Sequence, residues 1–224
     1  MLSKKADWQL IILVCSLIII MIMGVRQSLG LFLEPISQFM KDGKEFFSFA
    51  IGFQAIIWGV VTFGLGILID KFGPQKVLAF GIVCFASGIF LMSNPNNQLT
   101  LFSATSLMGF GLGGAGMATM VSIAGKVAPP EKRSFAMGLI AAAASFGQFA
   151  VVLPTMWMNK IFGWETSLIV LSIITISLLF LLPLLNNTNK QNNKNDIFKD
   201  ELQNTLIFSL KERNYILLLP LIHI

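Results

Sequence analysis

Long apolar blocks follow one another along the chain, separated by short polar interruptions. They cover residues 9–33, 46–69, 77–93, 99–123, 135–158 and 166–185. An α-helix needs roughly 17–25 such residues to cross a hydrocarbon core of ~30 Å. The blocks are apolar all round and lack the strict alternation of a barrel strand. Lipid offers no partners to open backbone, so helices are the spanning structure that remains. The pattern predicts an all-α membrane protein with six transmembrane helices forming one bundle over residues 1–185. Residues 186–213, rich in Asn, Lys and Gln, read as a solvated linker, with a surface helix from Asp196 to Arg213. Apolar character returns at residues 214–224, whose eleven residues give ~16 Å of helix, about half a membrane. The expectation is a seventh helix cut short.

Composition supports this class. Hydrophobic residues make up 55% of the 224 positions and charged residues 12%, where a soluble domain carries about 25% charge. The net charge of +5 does not point to nucleic acid, because no basic cluster is interleaved with exposed aromatics. The basic residues sit instead at the ends of the apolar blocks. With the N-terminus inside, twelve Lys and Arg face the cytoplasm: Lys4, Lys5, Lys71, Lys76, Lys126, Lys132, Arg133, Lys190, Lys194, Lys199, Lys211 and Arg213. Only Lys41, Lys44 and Lys160 face out. This asymmetry predicts a multi-pass protein of the cell inner (plasma) membrane, with a cytoplasmic N-terminus and a cytoplasmic 186–213 linker. The first block is longer than a signal-peptide core and has no small-residue cleavage site, so it reads as a retained helix.

The chemistry of enzymes is poorly represented. His223 is the sole histidine, Cys15 and Cys84 lie inside apolar blocks without ligand spacing, and no block carries an acidic pair. Residues 111–116 spell a formal G-x-G-x-x-G, with Glu131 twenty residues after Gly111. A dinucleotide site requires a strand, a turn and a helix there, whereas these glycines lie within an apolar helix where small residues serve close packing.

The most specific local feature is Gly66, Leu68, Asp70, Lys71, Phe72, Gly73 and Lys76 between the second and third blocks. It resembles the G-x-L-x-D-[RK]-x-G-x-x-[RK] loop of the major facilitator superfamily. A tight loop needs Gly73, and Asp70 suits a helix N-terminus or a basic partner. Pro74 and Gln75 stand where many members carry basic residues. The stretch Gly24–Ile36, Phe72-Gly73-Pro74, Ala128–Arg133, Ser145-Phe146-Gly147-Gln148 with Pro154, and Gly163-Trp164-Glu165 are similar to the monocarboxylate and oxalate/formate antiporter-like branch. Many proton-coupled members carry an Arg where this chain has Thr105, four residues before Gly109.

Arg26 is the one charged side chain well inside a block. Such a charge costs roughly 2.5–3.5 kcal/mol to insert, and its planar fork suits a carboxylate. It is a candidate substrate ligand; equally, it could snorkel outward or pair with Glu34. Gln27, Gln54, Trp58, Ser145 and Gln148 are further candidates for lining a substrate path, or for bonding helices together. Gly66, Asp70, Lys71, Gly73, Lys76 and Arg133 are the candidate gating loop. The resemblance implies a 3+3 inverted repeat and alternating-access transport of a small organic anion, a mono- or dicarboxylate. It also implies a second six-helix half, lipid as the surrounding partner and no organic cofactor. The alternative is a complete six-helix protein working as a homodimeric channel or small transporter.

Overall fold

A computed structural model describes residues 3–41 and 43–185, all within one compact unit, Met1–Thr188. The expected linker 186–213 and the seventh apolar stretch 214–224 lie outside the described residues. Among the described residues there is no strand. The helices are α1 (Ser3–Ser28), α2 (Leu33–Met40), α3 (Gly43–Phe72), α4 (Pro74–Met92), α5 (Gln98–Ala115), α6 (Met117–Val127), α7 (Arg133–Ala150) and α8 (Val152–Ser177). A 3-10 turn, Leu29–Phe32, joins α1 to α2, and Lys41 ends α2 in the left-handed region at φ 61°.

Five segments are long and apolar enough to cross a membrane, where six were expected: Trp8–Met40, Lys44–Gly64, Pro74–Met92, Gln98–Val127 and Pro130–Leu185. The difference arises in the last part of the described residues, where the expected helices 135–158 and 166–185 fall in one 56-residue segment. A straight helix of that length would measure ~84 Å, nearly three membrane cores. It is not straight. Gly163 interrupts α8 at φ 81° and ψ 166°, a conformation that L side chains rarely adopt. After Gly163 the chain runs antiparallel to α4: Ser172 Oγ donates to Ala86 O at 2.9 Å, and Gln75 Nε2 donates to Leu182 O at 3.2 Å. Trp164, just past the break, meets Phe39 of α2 edge-on, with ring centres 5.4 Å apart.

Apolar contact gives helices in lipid no net drive to associate, so close packing through small residues has to supply it. The α4–α5 contact is built this way. A Cβ on Gly81 would lie 2.5 Å from Ala115 N, one on Gly111 2.5 Å from Phe85 Cβ, and one on Gly88 2.5 Å from Met108 Cγ. These pairings make α4 and α5 antiparallel and give the 111–116 glycines a packing role. Gly109 and Gly113 seat α5 against Gln54, Ile57 and Val61 of α3, and Gly147 of α7 rests on Ile20 of α1. Ile18, Ile19, Ile22, Phe32 and Phe85 fill the buried centre.

The fourth apolar block is broken as well. Gly116 is extended (φ −85°, ψ −166°) between α5 and α6, and a Cβ there would overlap the carbonyl oxygen of Leu112. Thr119 Oγ1 reaches back across the break to Gly113 O at 3.3 Å.

Candidate functional site

Arg26 sits two residues before the end of α1, where the helix tightens into the 3-10 turn. Ser28 Oγ donates to Gly24 O at 2.9 Å and so occupies a carbonyl close to that tightening. The guanidinium turns toward α3, with its carbon 4.9 Å from the centre of the Trp58 ring. A cation over an indole face gains about 0.5–2 kcal/mol, more as water is excluded. The pairing of Arg26 with Glu34 does not occur. Glu34 instead forms an ion pair with Lys44 and accepts from Gln38 Nε2 at 2.8 Å, tying α2 to the start of α3. Among the described residues Arg26 has no ion-pair partner, and its Nε is buried without a hydrogen bond.

Beside the guanidinium lies a cleft of about 280 Å³ between α1, the 3-10 turn, α2 and α3. Leu29, Leu33, Phe47 and Ile51 form its apolar wall, and Arg26, Ser48 and Gln54 are its polar lining. The Ser48 hydroxyl already donates to Lys44 O at 2.9 Å. Gln54 is only 1% exposed, and its Nε2 has no partner. A buried N–H left unbonded costs about 1–3 kcal/mol, and both residues that carry one, Arg26 and Gln54, border this cleft. Trp58, one turn after Gln54, borders a second, more open cleft of about 380 Å³ with Ala55, Gly59, Thr62 and Phe63.

The structure therefore brings together Arg26, Gln54 and Trp58 from the residues singled out in the sequence. Gln27 is exposed and lines neither cleft. Ser145 and Gln148 are exposed on α7 and line neither cleft, and Ser145 Oγ donates to Ala141 O at 3.2 Å. Thr105 is fully buried and donates to Phe102 O at 3.1 Å, so a neutral hydroxyl occupies that point of α5. The cleft's apolar wall was not foreseen. Nothing in an apolar block marks which Leu or Phe will border a cavity.

At the opposite end of α3, Gly73 turns the chain at φ 83° and Pro74 opens α4 as its first residue. Lys71, Lys76 and Arg133 are exposed, and Lys71 Nζ lies 5.4 Å from the Phe72 ring centre. The side-chain surroundings of Gly66 and Asp70 lie outside the described residues.

Compared with known families, residues 10–222 match the model of the Major Facilitator Superfamily. The chain belongs to that superfamily. An uncharacterized MFS-type transporter YcxA of Bacillus subtilis (strain 168) is 28% identical over 167 residues, 71% of this chain and 39% of that protein. An uncharacterized transporter of Buchnera aphidicola subsp. Schizaphis graminum (strain Sg) is 23% identical over 203 residues, 84% of this chain and 49% of that protein. A putative niacin/nicotinamide transporter NiaP of Bacillus subtilis (strain 168) is 24% identical over 120 residues, 54% of this chain and 30% of that protein. The chain thus spans less than half the length of these relatives. Superfamily membership and its apolar helices make it a multi-pass membrane protein, of a transporter family and not an enzyme family.

Proposed function

We propose that this chain is one six-helix bundle of a secondary transporter that moves a small organic anion, a mono- or dicarboxylate, by alternating access. The observation that carries the reading is Arg26, without an ion-pair partner among the described residues, bordering an apolar-walled cleft together with Gln54. An uncompensated cation in such surroundings calls for an anion, and a guanidinium fork recognises a carboxylate through two parallel N–H···O bonds. The name of one relative couples niacin, a carboxylic acid, with its neutral amide, so the relatives do not choose between charged and neutral cargo.

In this reading the reversal at Gly163 separates a fifth and a sixth crossing, which yields six passes and a 3+3 repeat. The second half of the transport path comes from a further six-helix bundle. The N-terminus faces the cytoplasm, in the inner membrane. Gly66, Asp70, Lys71, Gly73, Lys76 and Arg133 form the cytoplasmic gating loop, and Gln27, Ser145 and Gln148 lie along faces turned to the partner bundle.

Carboxylate binding to wild type, Arg26→Gln and Arg26→Lys tests the central claim. Loss of a charge-assisted pair in a water-poor site costs a few kcal/mol, roughly a hundredfold in affinity for the Gln variant. Lys restores a point charge without the fork, so its rescue is partial. Unchanged affinity in the Gln variant would refute the reading.

A further inference from the structure

We propose that Trp58 is the positioning residue of the anion site. Its indole holds one face of the Arg26 guanidinium and leaves the N–H edge for a carboxylate. This rests on the carboxylate reading above and adds to it the residue that fixes the geometry of recognition.

Three observations converge on Trp58. The guanidinium carbon lies 4.9 Å from its ring centre, and among the described residues no carboxylate stands opposite the Arg26 charge. Gln54, one helical turn earlier on the same helix, is 1% exposed with its Nε2 unpartnered, so α3 carries an aromatic face against the Arg26 cation and an unpaired amide donor one turn away. The edge of the indole also meets the α5–α6 break: a Cβ built on Gly116 would lie 3.4 Å from Trp58 Nε1. The ring thus touches both a cation and a backbone interruption where a side chain would overlap the Leu112 carbonyl.

The two interactions of Arg26 do not compete. An aromatic face attracts the guanidinium through its plane, whereas a carboxylate approaches in that plane, along the N–H edge. An indole that holds the plane still removes rotamer freedom that Arg26 would otherwise lose on binding. With an aliphatic residue at 58, the long side chain is free to turn its head toward water. Phenylalanine keeps a ring face and so most of the effect. Lysine at 26 has no plane to be held, so its anion binding gains little from the ring's orientation.

The test uses the 224-residue chain purified in detergent micelles, with labelled benzoate as the probe in equilibrium dialysis and benzamide as a neutral isostere. Wild type is expected to bind benzoate and to be indifferent to benzamide. Trp58→Leu should weaken benzoate binding about tenfold, and Trp58→Phe by about threefold or less. In an Arg26→Lys background the Trp58→Leu step should cost about twofold or less. In a chain with Trp8, Trp157 and Trp164 replaced by Phe, benzoate should shift the emission of Trp58 with the midpoint found by dialysis. That last measurement decides the matter if the Leu variant does not fold. Failure of wild type to bind benzoate, or wild-type affinity in Arg26→Gln, overturns the carboxylate reading and this inference with it. Loss of binding in Arg26→Gln with wild-type affinity in Trp58→Leu leaves the carboxylate reading standing and removes Trp58. Equal weakening by Leu and Phe, or an unchanged Trp58 emission, also overturns the positioning role.

Discussion

A single methyl group placed on Gly81 should separate α4 from α5. The built Cβ would sit 2.5 Å from Ala115 N, 2.6 Å from the Gly114 carbonyl carbon and 2.8 Å from Gly114 Cα. All three are backbone atoms, so no side chain can rotate out of the way. Reaching an ordinary contact of 3.4 Å requires the two helices to part by about 0.9 Å. A gap of 0.5–1 Å forfeits a quarter to a half of each dispersion contact around it. Overpacking of this kind costs about 1–3 kcal/mol. Gly59→Ala is the matched control, because nothing lies within 4 Å of its built Cβ; there alanine's helix propensity adds up to about 1 kcal/mol of stability. The two variants add the same atoms to helices of the same bundle and should move stability in opposite directions. Thermal unfolding in one detergent, followed by tryptophan emission and by loss of the monodisperse gel-filtration peak, would report it. The expected fall for Gly81→Ala is about 2–10 °C. A Gly81→Ala chain as stable as the Gly59→Ala chain would refute backbone contact as the basis of the seam.

Two further expectations concern the proposed transport cycle. Asp70→Asn should slow turnover in a full-length transporter carrying this bundle while leaving substrate affinity within about threefold, because the position is at the far end of α3 from the Arg26 cleft; normal turnover with much weaker binding would contradict the gating role. Single cysteines at 71 and 132, introduced after replacing Cys15 and Cys84, should resist an impermeant thiol reagent applied to intact cells, whereas position 41 should react. Labelling of 132 from outside would reverse the proposed orientation.

Residues in apolar blocks tell their story through length, and length is what the sequence conveyed well. Helix α3 runs three residues beyond each end of its expected block, and α4 starts three residues before its block and stops one short of its end, because lipid demands helix wherever apolar character persists. The turn at Gly73 was legible for a related reason: a glycine between two apolar blocks marks a backbone reversal, and it adopts φ 83°. The interruption at Gly116 was not, since it lies among packing glycines that look alike in sequence. Only the neighbouring carbonyl of Leu112 distinguishes it. At the site, Arg26, Gln54 and Trp58 could be named because polar or amphipathic groups are rare in such blocks. Their mutual geometry could not be read. Gln54 and Trp58 share a helix face, but the sequence did not show that Glu34 pairs with Lys44 while Arg26 rests on Trp58.

The extended residue at Gly116 makes two rods of what a hydropathy plot shows as one. The first, Gln98–Ala115, is keyed to α4 by interlocking backbones and has little freedom to slide. The second, Met117–Val127, is eleven residues long and packs on α7 and α1 instead. Across the joint run the Thr119 hydroxyl bond to Gly113 O and the first amide bond of the new helix, Met120 N to Gly116 O, each 3.3 Å. The short rod therefore takes its direction from α7 and α1, while the long rod takes its direction from α4.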